Sequence, residues 1–181
     1  MKNKLILFLG MLMVAGAAQA ELKNGPYVGV QLGADRMQVK SGTAKENGTS
    51  FAWMMALGMR SKALRAELQW ANTTRTKIEK AHVEQQRYML QLYYEMPIHS
   101  VIRPYLNAGA GASYTEVSFS GEKSDKTTFA WNAGAGLTLN VSSSMSVDLG
   151  YRYIDTGKPK VFGSELQVRH HEGYLGTRFS F

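Results

Sequence analysis

The chain has 181 residues, which is enough for one domain, and it contains no cysteine, so disulfide bonds do not stabilise it. No apolar run after Ala20 approaches the roughly eighteen residues that a transmembrane helix needs. The formal charge is +7, and this falls to +5 if Lys2 and Lys4 are removed with an N-terminal leader.

The N-terminus has the pattern of a cleavable export signal. Residues 1–4 are a short basic start, and residues 5–18 form an apolar run that is too short to span a bilayer comfortably. Ala18-Gln19-Ala20 is a small-x-small cleavage site. The sequence therefore predicts a Sec-type signal peptide over residues 1–20, with an uncleaved inner-membrane anchor as the alternative. Export argues against nucleic acid as a partner of the basic chain, and favours anionic lipopolysaccharide or a host surface polyanion.

Eight segments with alternating side chains follow the leader. They span residues 26–38, 50–60, 64–76, 82–96, 103–119, 127–141, 145–155 and 167–181. In the seventh segment, Leu149 and Tyr151 share one face and Asp148 and Arg152 share the other. An alternation of apolar and polar side chains that recurs in eight segments predicts a sheet whose two faces contact different solvents. We expect residues 21–181 to form a single all-β domain.

The apolar face is predicted to be the outside of a membrane barrel. This face ends in aromatic residues, as the interfacial girdles of such a barrel require: Trp70, Tyr94, Trp131, Tyr153, Phe179 and Phe181. Charged residues share the opposite face with glycine. A water-soluble, lipocalin-like barrel would show the inverse pattern, and a β-sandwich would have polar outer faces. The pattern favours an eight-stranded antiparallel up-and-down transmembrane β-barrel with a polar lumen.

The connections between the segments alternate in length. Residues 61–63, 97–102 and 142–144 are short connections. The connections at residues 40–49, 77–81, 120–126 and 156–165 are mostly longer and richer in charge, glycine or serine. This alternation matches periplasmic turns at one end of a barrel and extracellular loops at the other. An even number of strands then places both termini at the periplasmic end.

The chain stops on an aromatic residue inside its last segment. Leu175, Thr177, Phe179 and Phe181 fall on one face of that segment. This ending resembles the C-terminal strand of Gram-negative outer-membrane barrels, which their assembly machinery reads. The resemblance implies that Phe179 and Phe181 act as the assembly signal and that the assembly machinery is a partner.

Three further motifs resemble the opacity-protein family of small outer-membrane barrels. Residues 147–157, VDLGYRYIDTG, resemble the seventh strand of that family, and residues 104–111, PYLNAGAG, resemble its fifth. Residues 171–181, HEGYLGTRFSF, resemble its closing strand. The resemblance covers the mature chain and implies an eight-stranded barrel in the Gram-negative outer membrane. That family contains adhesins, immune-evasion proteins and barrels of unknown role, and the loops here are much shorter than those of its adhesins.

Seven charged residues are predicted to face the lumen as a structural ion network. They are Arg60, Arg65, Glu67, Glu95, Asp148, Arg152 and Arg178. All but Arg152 lie within a few residues of the periplasmic ends of their strands, so those six should form one layer. Eight strands leave room only for side chains, and buried charges need partners. We expect an ion-pair plug in which Asp148 and Arg178 interact directly or through one shared residue.

The candidate catalytic and phosphate-binding patterns are weak. Residues 109–111 and 134–136 read Gly-Ala-Gly, without the third glycine or the strand-to-helix context of a phosphate-binding loop. His99 and Ser100 are adjacent, so on a strand they would point to opposite faces. Lipid A deacylases of this shape carry a His-x-Ser spacing, which does not occur in this sequence. We therefore predict no catalytic residues.

Two adjacent histidines near the outer end of the last segment are the candidate metal ligands. His170 and His171 would need further converging groups, and His82 could lie at the same level. The alternative interpretation is a solvated loop margin. We predict neither a metal site nor a cofactor.

The sequence as a whole favours a monomeric outer-membrane barrel whose extracellular loops carry its function. Surface interaction, adhesion or a structural role is the preferred function. The expected partners are outer-membrane lipids, lipopolysaccharide and a host or cell-surface ligand. A narrow pore for ions or small solutes and a lipid A-modifying enzyme are the alternatives.

Overall fold

The computed structural model describes most of the chain after the leader. The described residues are 24–41, 44–74, 82–98, 101–119, 122–157, 160–161, 164–165 and 167–181. The predicted signal peptide and its cleavage site, the loop at 77–81, and His99 with Ser100 lie outside them. Within the described ranges, no helix has the length and apolar character needed to cross a membrane.

Eight long strands close into an antiparallel barrel. They are β1 (Gly25–Ser41), β2 (Ala44–Ser61), β3 (Leu64–Thr74), β4 (His82–Glu95), β5 (Ile102–Phe119), β6 (Glu122–Asn140), β7 (Met145–Asp155) and β10 (Gln167–Ser180). Each long strand pairs with the next, and β1 pairs with β10 to complete the ring. A small separate hairpin of β8 (Lys160–Val161) and β9 (Ser164–Glu165) lies between β7 and β10. The predicted closed barrel of eight strands is confirmed.

The two faces of the barrel differ as the alternation predicted. On β7, Leu149 and Tyr151 are exposed on the outer surface, whereas Asp148 and Arg152 are buried inside. The same division holds along the membrane-level part of the other long strands, where large apolar side chains point outward. Because the side chains of a strand alternate strictly, one correctly placed residue fixes the facing of the whole strand.

Two connections that the sequence suggested as longer loops are mostly paired strand. Ser41 pairs with Ala44, and Phe119 pairs with Glu122, so the loops predicted at residues 40–49 and 120–126 are wrong. The physical reason is that backbone hydrogen bonds continue outside the membrane, where an apolar face is no longer needed. The alternation of side chains therefore fades before the strand ends.

Aromatic side chains border the apolar band at both ends. Phe179 on the last strand and Phe181 directly after it are both exposed on the outer face at the periplasmic side. At the opposite side two aromatic pairs pack edge to face or at a tilt, Trp53 with Trp70 at 4.9 Å and Trp131 with Tyr153 at 5.7 Å between ring centroids. The two borders mark the levels of the membrane interfaces.

Candidate functional site in the barrel lumen

Six buried charges form a network at the periplasmic end of the lumen, called the periplasmic layer below. Its members come from five strands and are Arg60, Arg65, Glu67, Glu95, Asp148 and Arg178. Each of these residues is at most 3% exposed. Three cations face three anions, so the layer is neutral as a whole. The structure thus brings together the six residues that the sequence placed at this level.

Asp148 is the acceptor on one side of the periplasmic layer. Arg178 Nη2 donates to Asp148 Oδ1 at 2.9 Å, and Arg178 Nε lies 2.7 Å from Oδ2. Arg65 Nη1 donates to Oδ2 at 3.2 Å, and the Thr138 hydroxyl donates to Oδ1 at 2.7 Å. The geometry is nearly bidentate for Arg178, which is the strong arrangement for a guanidinium and a carboxylate.

Glu95 is the acceptor on the other side and is shared by three arginines. Arg60 Nη2 donates to Glu95 Oε2 at 2.6 Å. Arg65 Nε lies 2.9 Å from Oε1, and Arg178 Nη2 lies 3.4 Å from the same oxygen. Arg65 and Arg178 therefore each contact both Glu95 and Asp148, which joins the two halves of the layer into one network.

Inward tyrosines complete the periplasmic layer, and their role was not predicted from the sequence. The Tyr27 hydroxyl donates to Glu67 Oε1 at 2.6 Å. The Arg65 guanidinium lies 4.0 Å from the centroid of the Tyr93 ring, which is a cation–π distance. Gly58 is the strand partner of Tyr27, and a Cβ at Gly58 would overlap the Tyr27 ring. A large inward side chain opposite an inward glycine was the signal for this packing.

A second group of charges, called the central layer below, lies further along the lumen. Arg152 donates to Glu172 Oε1 through Nε at 2.8 Å and through Nη2 at 2.5 Å. Arg87 Nη2 donates to Glu172 Oε2 at 2.7 Å. Gln69 joins the layers, because its Nε2 donates to Glu67 Oε2 at 2.7 Å and its Oε1 accepts from Arg152 Nη1 at 3.1 Å. Arg152, predicted as part of the network, belongs to this layer.

Two further buried charges of the central layer, Arg87 and Glu172, were not predicted from the sequence. Both are buried, at 2% and 0% exposure. Glu172 has the same strand parity as Arg178, and Arg87 has the same parity as Glu95, so the alternation already placed both side chains inside. A small cavity lined by Gln69, Arg87 and Arg152, among others, lies in the same region. The ion-paired side chains of the two layers occupy the periplasmic end and the centre of the described lumen.

The side chains of the two adjacent histidines point to opposite faces of the last strand. His170 faces the lumen, is 2% exposed, and has Nδ1 2.8 Å from Asp35 Oδ2. The expectation of a solvated margin is therefore wrong for His170, because strand parity turns it inward. His171 faces outward, and its Nδ1 lies 2.5 Å from the Tyr151 hydroxyl. The side chain of His82 lies outside the described residues, and the described part of the chain holds no group of three or more candidate metal ligands.

A closed eight-stranded barrel with an apolar outer band, two aromatic borders and an ion-paired lumen is an outer-membrane β-barrel. The family model described as outer membrane protein beta-barrel domain matches residues 5–181. The chain therefore belongs to this family, which places it in the Gram-negative outer membrane.

Known proteins are similar to the chain in sequence and in structure. Outer membrane protein PagN of Salmonella typhimurium is 27% identical over 105 residues, which cover 52% of this chain and 44% of PagN. The chain thus aligns with less than half the length of that relative. Neisserial surface protein A has a TM-score of 0.69 and 24% identity, covering 85% of this chain and 97% of that structure. Ail of Yersinia pestis has a TM-score of 0.52 and 19% identity, and the match covers 87% of this chain and 100% of the Ail structure. These structural similarities show the fold.

Proposed function

We propose that this protein acts at the cell surface, as an interaction or adhesion protein or as a structural barrel. The observation that carries the proposal is the ion-paired lumen. Buried charges from five strands occupy its periplasmic end, and the Arg87–Glu172–Arg152 group occupies its centre. A lumen filled in this way leaves the outer surface and the extracellular end as the parts available for partners.

The extracellular end offers two rigid projections. The β1–β2 and β5–β6 hairpins stay paired as far as Ser41–Ala44 and Phe119–Glu122. From Ala34 to Ser41 the first hairpin continues for roughly 20 Å of strand, at about 3.3 Å per residue. Paired strands hold their shape, so a partner that binds these hairpins pays little ordering entropy.

The charge of the extracellular segments favours an anionic partner. Residues 75–81 contain Arg75, Lys77 and Lys80 against Glu79 as the only acid. Ail of Yersinia pestis, which shares the fold, has been solved in complex with the heparin analogue sucrose octasulfate. We infer that the partner class is a sulfated or otherwise anionic surface polysaccharide, attracted by a basic segment.

Whole-cell binding tests this function. Cells that produce the protein should bind immobilised heparin and cultured host cells more strongly than cells without it, and the difference should fall as salt rises. The triple change Arg75→Gln, Lys77→Gln, Lys80→Gln should reduce binding. Lys62→Gln, in a periplasmic turn, is the control and should leave binding unchanged. Equal binding by cells with and without the protein would reject the adhesion role.

Two alternative functions are measured on the same protein. A narrow pore would have to pass both charged layers, so planar bilayers containing the wild type should stay silent. The outer membrane enzyme PagL has the same fold, with a TM-score of 0.51 and 14% identity, which makes lipid A modification the second alternative. Mass spectrometry of lipid A from cells with and without the protein should show identical species. A conductance or a new lipid A species would favour the corresponding alternative.

A further inference from the structure

The extracellular aromatic border changes its chemistry at the seam between β1 and β10. Near this level the outward positions of five other strands are aromatic: Trp53, Trp70, Tyr88, Trp131, Tyr151 and Tyr153. On the two seam strands the outward positions are instead Arg36 and His171, and these two residues are direct partners in the antiparallel ladder. The Arg36 side chain is exposed on the outer surface. A guanidinium side chain and an imidazole side chain therefore replace the aromatic border at one place.

The imidazole of His171 is held between two tyrosines. Its Nδ1 lies 2.5 Å from the Tyr151 hydroxyl, and the two rings stack with centroids 6.1 Å apart. The Tyr153 ring meets the imidazole edge on at 5.5 Å. When the Tyr151 hydroxyl donates to Nδ1, the neutral imidazole carries its proton on Nε2, so Nε2 is a hydrogen-bond donor.

A single arginine at a membrane interface is ordinary, because its long stem lies on apolar surface while its head reaches water. The seam between β1 and β10 combines an arginine with a second polar group, the imidazole of His171. Arg36 carries a guanidinium, whose planar set of donors matches the oxygens of a phosphate, at the strand position directly opposite the fixed imidazole of His171. Both lie at the level where the headgroups of the outer leaflet meet the aromatic border. The donors, the charge and the depth all match a lipid phosphate.

We propose that Arg36 and His171 bind a phosphate group of an outer-leaflet glycolipid against the β1–β10 seam. Arg36 contributes the charge and the paired donors, His171 contributes Nε2–H, and Tyr151 orients the imidazole. The acyl chains of the lipid lie along the apolar surface below, which includes Leu32 and Leu175, themselves partners across the same ladder. This site lies on the lipid-facing surface and is independent of the glycan binding proposed for the basic segment at residues 75–81.

Lipid retention tests the proposal. The barrel is reconstituted in phosphatidylcholine nanodiscs doped with either bisphosphoryl lipid A or chemically dephosphorylated lipid A, and native mass spectrometry counts the glycolipids that stay bound. A cation near an anionic lipid surface contributes on the order of fivefold in affinity. The double variant Arg36→Gln, His171→Gln should therefore retain roughly tenfold less bisphosphoryl lipid A than the wild type, and the single variant Arg36→Gln should show an intermediate loss.

Two controls make the result specific. Lys62→Gln removes a positive charge from an exposed periplasmic turn and should retain lipid A as the wild type does. Heat-modifiable migration should show each variant folded, which is expected because the Arg36 side chain is exposed. Equal retention by the wild type and the double variant would overturn the proposal. The proposal would also be overturned if the wild type retained dephosphorylated lipid A as well as bisphosphoryl lipid A. It would equally be overturned if Lys62→Gln lost as much bisphosphoryl lipid A as the double variant.

Discussion

Removing the Asp148 carboxylate is the most direct test of the periplasmic layer. Asp148 is 1% exposed and accepts contacts from Arg178, Arg65 and Thr138 at 2.7–3.2 Å. Asp148→Ala leaves the neutral layer with three cations and two anions. Arg178 keeps only Glu95, at 3.4 Å, as a carboxylate partner. Breaking a buried pair by removing one partner typically costs about 3–5 kcal/mol of unfolding free energy, and the remaining contact to Glu95 places the expectation near 3 kcal/mol.

Arg178→Ala is the second single change, and together with Asp148→Ala it forms a double-mutant cycle. Alone it leaves Asp148 with Arg65 as its cation partner and should also destabilise the barrel. The double variant removes one charge of each sign and restores neutrality. Its loss of unfolding free energy should therefore be smaller than the sum of the single losses by at least about 1 kcal/mol, since contacting residues couple by about 0.5–3 kcal/mol.

Reversible urea unfolding in lipid vesicles, followed by tryptophan fluorescence, measures these free energies. Planar-bilayer recordings of the same proteins report whether the lumen opens, and the single variants are expected to show small conductance events that the wild type lacks. Additive single effects, together with silent recordings of every variant, would refute the idea that the pair closes and stabilises the lumen.

Three other changes test the remaining parts of the fold. Leu90→Arg places a charge between the two aromatic borders and should cost about 2–4 kcal/mol in the same unfolding assay. Deleting Phe181, or replacing it with Lys, should lower the amount of folded, heat-modifiable barrel in outer membranes, because this exposed aromatic residue directly follows the closing strand on its apolar face. Gly58→Val should cost about 1–3 kcal/mol, because the added side chain overlaps the Tyr27 ring.

Matched controls accompany these three changes. Met96→Arg places the same charge just beyond the periplasmic end of β4 and should cost less than about 1 kcal/mol. Gly173→Val adds the same side chain where nothing lies within 4 Å, so it should be nearly neutral. Equal losses at Leu90 and Met96 would contradict the membrane levels assigned to the two residues, and equal losses at Gly58 and Gly173 would contradict the assigned facing of β2 and β10. Normal assembly without Phe181 would remove its role as an assembly signal.

The alternation of residues was enough to predict the barrel, the facing of its strands and the six charges of the periplasmic layer. These features are local, because strand parity and distance from a turn are read along one segment. Strand parity also indicates which way His170 points, although the sequence-based prediction treated it as part of a loop margin. His170 shares the parity of Glu172 and Arg178, so its inward direction and its separation from His171 were already present in the sequence.

Other features required the tertiary structure. The contact between Arg65 and Asp148 joins residues 83 positions apart, and the sequence does not give the stagger of the strands that brings them to one level. The assignment of Arg152 to a second layer, the bridging role of Gln69 and the pairing of Arg36 with His171 at the seam depend on the same stagger. The length of the outer hairpins also could not be predicted from the sequence. Strands outside the membrane need no apolar face, so the alternation of apolar and polar residues fades before these strands end. The sequence determined by itself which side chains enter the lumen, whereas only the closed and staggered ring decided which of them meet.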